Sequence, residues 1–149
     1  MAQKSTAAAQ PITMPKSVTA KDIMQKPVIA ATALASLRDV ATQLVTNEFS
    51  GMPIAEPDGR VVGVVTEFDI VHTLIAGKRL ENLTAREVMT DAPITVDVET
   101  PIKDVMKKLE ENRIVRVPVT NEGKLVGIIS RRDVIRAILE PEFIAFGDS

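Results

Sequence analysis

The feature that most constrains the fold of this chain is an internal repeat. The segment Thr19–Met24 recurs as Thr84–Met89, 65 residues further along the chain. The offset holds without a gap as far as a proline in each copy, and it becomes 64 after one residue is lost in a turn. The identical pairs that follow are Asp39/Asp104, Val40/Val105, Leu44/Leu109, Asn47/Asn112, Pro53/Pro118, Gly59/Gly123, Val62/Val126, Gly63/Gly127 and Asp69/Asp133. Self-similarity at a fixed period indicates two copies of one structural unit.

The two units have flanking segments of a different character. Each unit is short and has a marginal core by itself, so we expect the two to bury their sheet faces against each other. Phe143, Ile144 and Phe146 in the last segment are expected to pack on the core or on a partner. The divisions are a flexible N-terminal tail at 1–17, repeat one at 19–77, a linker at 78–83, repeat two at 84–139 and a C-terminal tail at 140–149.

Each repeat predicts the element order β-α-β-β-α. In repeat two, Thr100 is predicted to cap a helix with Pro101 at its first position. The helix then buries residues at i, i+3, i+4 and i+7. The predicted elements of repeat two are a strand at 93–96, that helix with Ile102, Val105, Met106 and Leu109 inward, a hairpin of 115–119 and 124–129, and a helix from Ser130 with Val134, Ile135, Ile138 and Leu139 inward.

Repeat one shows the same order of signals. Ser36 and Thr66 are the predicted N-caps of its two helices. Its other elements are a short strand at Ile29-Ala30 and a hairpin of 52–54 and 60–65. The predicted fold class is therefore α+β, with two β-α-β-β-α repeats packed about an approximate two-fold axis.

Composition excludes several classes of function. A net charge of −2 gives no support to nucleic-acid binding. The chain has no cysteine and one histidine, so we expect neither a thiol nucleophile nor a zinc site. No apolar run approaches the roughly 20 residues that span a bilayer, and residues 1–10 lack the apolar region of a secretory signal. We therefore expect a cytoplasmic protein that does not insert into membranes.

One motif carries the chemistry in both repeats. It reads Gly63–Asp69 in repeat one and Gly127–Asp133 in repeat two, each ending in a hydroxyl residue, two residues and an aspartate. The pattern is typical of a helix N-terminus, where the aspartate favours the positive end of the helix. The same groups also suit a sugar diol and a phosphate beside free backbone N–H groups. Spacing alone favours the capping interpretation.

The chain resembles a tandem pair of CBS domains, also called a Bateman module. The resemblance rests on a D-I-M box, an apolar-x-apolar-Pro strand and the G-h-h-[ST]-x-x-D ending, which occur in this order twice within residues 19–139. It implies a regulatory module, not an enzyme, that binds an adenosine-containing ligand (AMP, ADP, ATP or S-adenosylmethionine) in clefts between the repeats. It also implies a homodimer and a regulated partner protein of unknown identity, and it requires no catalytic cofactor or metal.

The resemblance assigns roles to individual residues. Asp69 and Asp133 match the aspartate that holds the ribose hydroxyls, and Thr66 and Ser130 match the hydroxyl beside ribose or phosphate. A hydrogen bond to a charged group of this kind contributes roughly 1.5–3 kcal/mol. The residues that match the adenine pocket are Ile29 and Ala30, Ile94 and Thr95 in the first strands, and Met52 and Val117 before the prolines.

A basic residue is expected two positions before the proline, where the resemblance implies contact with phosphate. Arg116 occupies this position in repeat two, and Gly51 occupies it in repeat one. We therefore expect the cleft of Asp69, with Arg116 reaching in from the other repeat, to be the stronger nucleotide site. Arg131 and Arg132 are either phosphate ligands of the Asp133 cleft or solvated residues at a helix start.

Three other functions remain open from the residues. The chain is also consistent with an interaction module that binds no nucleotide. A small hydrolase using Asp69 or Asp133 would lack a partner for either carboxylate, and nucleic-acid binding is disfavoured by charge.

The expected affinity for a nucleotide follows from its size. For a mononucleotide of about 23 heavy atoms, each contributing about 0.3 kcal/mol of binding free energy, the expected Kd is about 10 μM. Such an affinity suits the sensing of cellular nucleotide levels.

Overall fold

The computed structural model describes residues 18–91 and 93–139. The predicted tails at 1–17 and 140–149 lie outside the described residues. Repeat one contains α1 (Ala20–Ile23), α2 (Leu37–Asn47), β1 (Gly51–Ala55), β2 (Val61–Thr66) and α3 (Glu67–Ile75). A 3-10 turn at Leu80–Asn82 precedes repeat two, which contains α4 (Ala85–Val88), β3 (Thr90–Asp91), β4 (Val96–Asp97), α5 (Ile102–Glu111), β5 (Arg116–Asn121), β6 (Lys124–Ser130) and α6 (Arg131–Leu139).

The strands form two three-stranded sheets, in the orders β1-β2-β3 and β4-β5-β6. Only the β4–β5 pair is parallel within the described residues. The first sheet contains a strand from each repeat, since β3 follows α4 and pairs with β2. The mixed content and the two sheets with their helices confirm the predicted α+β class.

The predicted first strands are shorter than expected and shifted along the chain. Val96–Asp97 forms a strand in repeat two, whereas repeat one has a single parallel bridge between Ala31 and Ile54. The Ala31 N–H donates to Pro53 O at 3.1 Å, and Ala55 N–H donates to Ala31 O at 2.8 Å. The predicted strand at Ile29-Ala30 was therefore wrong, because pairing begins only at Ala31 and the chain turns directly after it.

Helix starts agree with the capping signals at three of four positions. Ser36 caps α2, and Thr66 and Ser130 cap α3 and α6. The fourth expectation was wrong, because α5 begins at Ile102 and Pro101 is its N-cap. Thr100 instead accepts a hydrogen bond from Asp97 N–H through Oγ1 at 3.0 Å, so its hydroxyl serves the preceding turn.

The last helix buries fewer of its large apolar residues than the sequence predicts. Val134 is 5% exposed, but Ile135 and Leu139 are 56% and 68% exposed. Ala137 and the Asp133 side chain fill the inner face instead. The buried face of α6 is therefore rotated toward smaller residues, and its larger apolar residues remain at the surface.

The first helix of each repeat packs against the core of the other repeat. Ala20 and Ile23 of α1 lie in one cluster with Val105 and Ile129 of repeat two. Ala85 of α4 lies in the cluster of repeat one. Each helix is therefore exchanged between the units that the sequence defines, and the two repeats complete each other's cores.

Backbone hydrogen bonds hold these exchanged helices in place. Ala20 N–H donates to Thr100 O at 2.8 Å, and Ala85 N–H donates to Ala35 O at 2.9 Å. Because such groups must be paired when they are buried, the exchange is fixed by the main chain as well as by apolar packing.

Candidate functional site

One face of each hairpin points toward a cleft between the repeats. Residues that pair across a strand share a face, and successive residues alternate between faces. In both hairpins the proline lies on the cleft face, and the residues beside it along the strand lie in the core. The cleft-facing pairs are Gly51/Thr66, Pro53/Val64, Arg116/Ser130 and Pro118/Ile128.

The cleft contains two neighbouring cavities. The larger has a volume of about 760 Å³ and is bordered by Gln25 and Ile29 of repeat one and by Ser130 and Asp133 of repeat two. The smaller has a volume of about 370 Å³ and is bordered by Thr66. Both volumes fall in the range of small-molecule sites, roughly 300–1,000 Å³.

Asp133 is a buried carboxylate at the wall of the larger cavity. Asp133 is only 7% exposed. Ser130 N–H donates to Oδ2 at 2.8 Å, and the Gln25 side-chain amide donates to Oδ1 at 2.8 Å. A buried charge requires such partners. The aspartate therefore caps α6 and also presents a negative charge at the cavity.

Asp69 makes the same capping interactions in repeat one. Thr66 donates to Asp69 Oδ2 through its backbone N–H at 2.8 Å and through Oγ1 at 3.2 Å. Within residues 18–91 and 93–139, Oδ1 accepts no hydrogen bond, and Asp69 borders neither cavity. The two aspartates therefore share a capping role and differ in what surrounds the second oxygen.

Positive charge is concentrated at the larger cavity. Arg131, Arg132 and Arg136 border it, and Arg116 borders both cavities. The Arg116 guanidinium lies 4.5 Å from the centroid of the Phe49 ring, a distance at which a cation is attracted to an aromatic face. The sequence analysis expected Arg116 to strengthen the cleft of Asp69. Because Arg116 borders both cavities, its position does not favour one of them over the other.

The first helical turns give the two cavities different chemistry. The two residues after the capping hydroxyl are Arg131 and Arg132 at the larger cavity, and Glu67 and Phe68 at the smaller cavity. Like-signed arginines raise the positive potential of a concave wall. An anionic ligand is therefore favoured at the larger cavity, whereas the smaller cavity sets the carboxylate of Glu67 and the ring of Phe68 beside Arg113 and Arg116.

The residues expected to form the adenine pocket are distributed unevenly. Ile29 borders the larger cavity, and Met52, which is 1% exposed, borders the smaller. Val117 is completely buried and points into the core, because it adjoins a cleft-facing proline. Ala30, Ile94, Thr95 and Val117 border neither of the two cavities.

Several cavity residues were missed from the sequence. Pro53 and Ile128 border both cavities, and Phe49 and Gln25 border the larger. Strand alternation away from the expected core positions would have identified Pro53 and Ile128. Gln25 could have been found from the repeat itself, because it differs from Thr90, the residue at the same position of the other copy.

Two further observations concern metals and membranes. Among the described residues, no group of three His, Cys, Asp or Glu side chains is arranged to hold a metal ion. A membrane-spanning helix is also absent from the ranges 18–91 and 93–139, since none of their helices has the required length and apolar character.

Known proteins are similar to this chain in sequence and in architecture. The family model of the CBS domain matches residues 20–76 and 85–140. Hypoxic response protein 1 of Mycobacterium tuberculosis is 33% identical over 129 residues, covering 86% of this chain and 90% of that protein. L-aspartate semialdehyde sulfurtransferase of Methanocaldococcus jannaschii is 32% identical across 78% of this chain, which corresponds to 22% of that protein.

Two similar solved structures contain adenosine compounds. The CBS domain pair of protein MJ0100, in complex with 5-methylthioadenosine and S-adenosyl-L-methionine, has a TM-score of 0.72 and 32% identity, over 82% of this chain and 95% of that one. CBS domain protein PAE2072 of Pyrobaculum aerophilum, complexed with AMP, has a TM-score of 0.74 and 31% identity, over 82% and 95% of the two chains.

Proposed function

The chain belongs to the CBS domain family as a tandem pair, and from this premise we propose that it senses an adenosine nucleotide in the cleft between its repeats. The observation that carries the proposal is the buried Asp133 carboxylate at the wall of a 760 Å³ cavity. Similar CBS pairs hold AMP or S-adenosyl-L-methionine. In this chain Asp133 would accept hydrogen bonds from the ribose hydroxyls, and Ser130 would lie beside ribose or phosphate.

The charges favour a phosphorylated ligand in the larger cavity. Arg116, Arg131 and Arg132 border it and would bind phosphate oxygens through charge-assisted hydrogen bonds. The sulfonium of S-adenosylmethionine would be repelled by the same side chains. This proposal reverses the expectation that the Asp69 cleft is the stronger site. The reason is that Arg116, Arg131 and Arg132 all border the cavity that Asp133 lines.

Thermal unfolding tests the proposed ligand class. With a Kd of about 10 μM, about 1 mM ligand stabilises a folded protein by about 2.7 kcal/mol, which raises Tm by about 5–10 °C. We expect AMP, ADP and ATP to produce shifts of this size and S-adenosylmethionine to produce a much smaller one. Equal shifts with S-adenosylmethionine would contradict the charge argument. The absence of a shift with every compound would favour an interaction module that binds no nucleotide.

Regulation follows from binding between two bodies. A ligand shifts an equilibrium only by its different affinity for the two arrangements, and the proposed ligand would contact both repeats at once. We propose that the bound state differs in the relative orientation of the repeats and that a partner protein responds to this difference.

The module is proposed to be regulatory rather than catalytic, since neither aspartate has a second acid or base beside it among the described hydrogen bonds. We also propose that the chain acts in the cytoplasm.

We also propose that the chain forms a homodimer through its exposed helix faces. Phe68, Ile75 and Leu74 of α3 are 86%, 80% and 54% exposed, and Ile135 and Leu139 of α6, the equivalent helix of repeat two, are 56% and 68% exposed. Exposed apolar helix faces of this kind mark protein–protein contacts. The same surface would serve the alternative function of an interaction module.

Replacing Ile75 with aspartate tests the dimer. Because this side chain is largely exposed, the change is expected to leave the fold intact and to halve the molecular mass measured by light scattering. Leu34→Asp is the matched control, since Leu34 is 76% exposed in the turn before α2. A dimer that persists in the Ile75 variant, or a wild-type monomer at every concentration, would contradict the proposal.

A further inference from the structure

The two aspartates face different residues at one equivalent position. Gln25 forms an antiparallel bridge with Ile128, and Thr90 pairs in the same way with Val64. Gln25 N–H donates to Ile128 O at 2.8 Å, and Ile128 N–H donates to Gln25 O at 3.2 Å. The backbone of Gln25 is therefore fixed at the edge of β6, directly beside the larger cavity.

Only the glutamine side chain is engaged with the opposite aspartate. Gln25 Nε2 donates to Asp133 Oδ1 at 2.8 Å, and this hydrogen bond joins the two repeats. Thr90 makes no corresponding hydrogen bond to Asp69 in the described parts of the chain. The shorter, branched threonine leaves Asp69 Oδ1 open, whereas the amide of Gln25 covers Asp133 Oδ1.

The Gln25 side-chain amide occupies an oxygen of Asp133 that a ligand hydroxyl would otherwise bind. Both Asp133 oxygens already accept a hydrogen bond from the protein, Oδ2 from Ser130 N–H and Oδ1 from Gln25. With only 7% of the residue exposed, the Asp133 side chain has little room for a further donor. A ligand hydroxyl that binds Oδ1 therefore competes with the Gln25 amide for this oxygen.

We infer that Gln25 is an internal competitor that sets the affinity of the Asp133 cleft. The inference rests on the proposed function, since it concerns how a ribose-bearing nucleotide reaches Asp133. In the unliganded state the amide satisfies the buried carboxylate. On binding, the ribose hydroxyls replace it, and Gln25 swings away. Asp69 has no such competitor among the described residues, since its Oδ1 accepts no hydrogen bond there.

Calorimetry of Gln25→Thr with AMP tests the competitor. The substitution places threonine, the residue at the equivalent position of repeat two, at position 25, and the Asp69→Asn background removes the second aspartate expected from the sequence to bind ribose. We expect AMP to bind about tenfold more tightly, as for the loss of one competing hydrogen bond to a charged carboxylate. Gln43→Thr is the matched control, because it makes the same chemical change on the exposed surface of α2 and should leave the affinity unchanged.

The side-chain amide of Gln25 gives a second, direct measurement. Its NMR signals in the Asp69→Asn protein should move on addition of AMP toward those of a solvated glutamine. Signals that stay in place at saturating AMP would show that the hydrogen bond survives and would overturn the inference.

The outcomes separate this inference from the proposed function. Equal or weaker AMP binding by Gln25→Thr, with clear binding by the parent protein, overturns the competitor and leaves nucleotide sensing intact. Weaker binding would identify Gln25 as a ligand contact. If the wild-type chain binds none of AMP, ADP and ATP, nucleotide sensing and the competitor both fall.

Discussion

Replacing Asp133 with asparagine is expected to weaken AMP binding by about 10- to 100-fold while leaving the chain folded. The estimate corresponds to the loss of one hydrogen bond to a charged group, roughly 1.5–3 kcal/mol. Asparagine keeps an oxygen that accepts the 2.8 Å hydrogen bond from Ser130 N–H, so the start of α6 is preserved. Calorimetry with AMP measures the change, and thermal unfolding without nucleotide verifies the fold.

Asp69→Asn is the matched control for this experiment. It makes the same substitution at the equivalent N3 position of α3, where the aspartate borders neither cavity. We expect it to change AMP affinity much less than Asp133→Asn does. If instead Asp69→Asn removed binding and Asp133→Asn did not, the smaller cavity would be the nucleotide site, as the position of Arg116 in the sequence first suggested.

The second large effect is expected from Gly127→Ala, which should destabilise the fold by about 1–3 kcal/mol. A Cβ at this position would lie 2.9 Å from Met24 Cβ and even closer to the outer atoms of that side chain. Met24 follows the exchanged helix α1, so the strain would fall on the contact between the repeats. Urea unfolding of the single variant measures the cost.

A double-mutant cycle with Met24→Ala shows where this cost arises. Met24→Ala removes Cγ and the sulfur, the two atoms nearest the new methyl group, and keeps Cβ, so Gly127→Ala should cost less in this background without becoming free of cost. Gly63→Ala is the symmetric comparison, because a Cβ there meets Met89 and comes within 3.0 Å of Thr90 O. Additive effects of Gly127→Ala and Met24→Ala would exclude this contact as the cause.

Much of the fold was predictable because its signals are local and occur twice. The capping pairs Thr66/Asp69 and Ser130/Asp133 lie three residues apart, and the structure confirms both. Matched turns and apolar stripes likewise predicted the hairpins and the long helices. Thr100 was misjudged as a cap because a hydroxyl before Pro101 suits a helix start and a preceding turn equally well.

The composition of the cleft was less predictable because it depends on contacts between distant segments. Val117 and Pro118 are neighbours in sequence, yet only Pro118 faces the cleft, and the pairing of β5 with β6 decides which. The hydrogen bond from Gln25 to Asp133 spans 108 residues. No local pattern contains such a contact, although the mismatch of Gln25 with Thr90 marks the place where the two repeats differ.

The exchange of α1 and α4 determines which parts of the chain pack together. Each core cluster joins one hairpin and its helices with the leading helix of the other repeat, so the two packed bodies do not coincide with the sequence repeats. One connection between these bodies runs through residues 25–36, and its Gln25 and Ile29 border the larger cavity. A ligand in that cavity would therefore contact a segment that joins the two bodies. Severing the chain between the repeats would accordingly yield two fragments, each lacking part of its core, that regain structure only as a complementing pair.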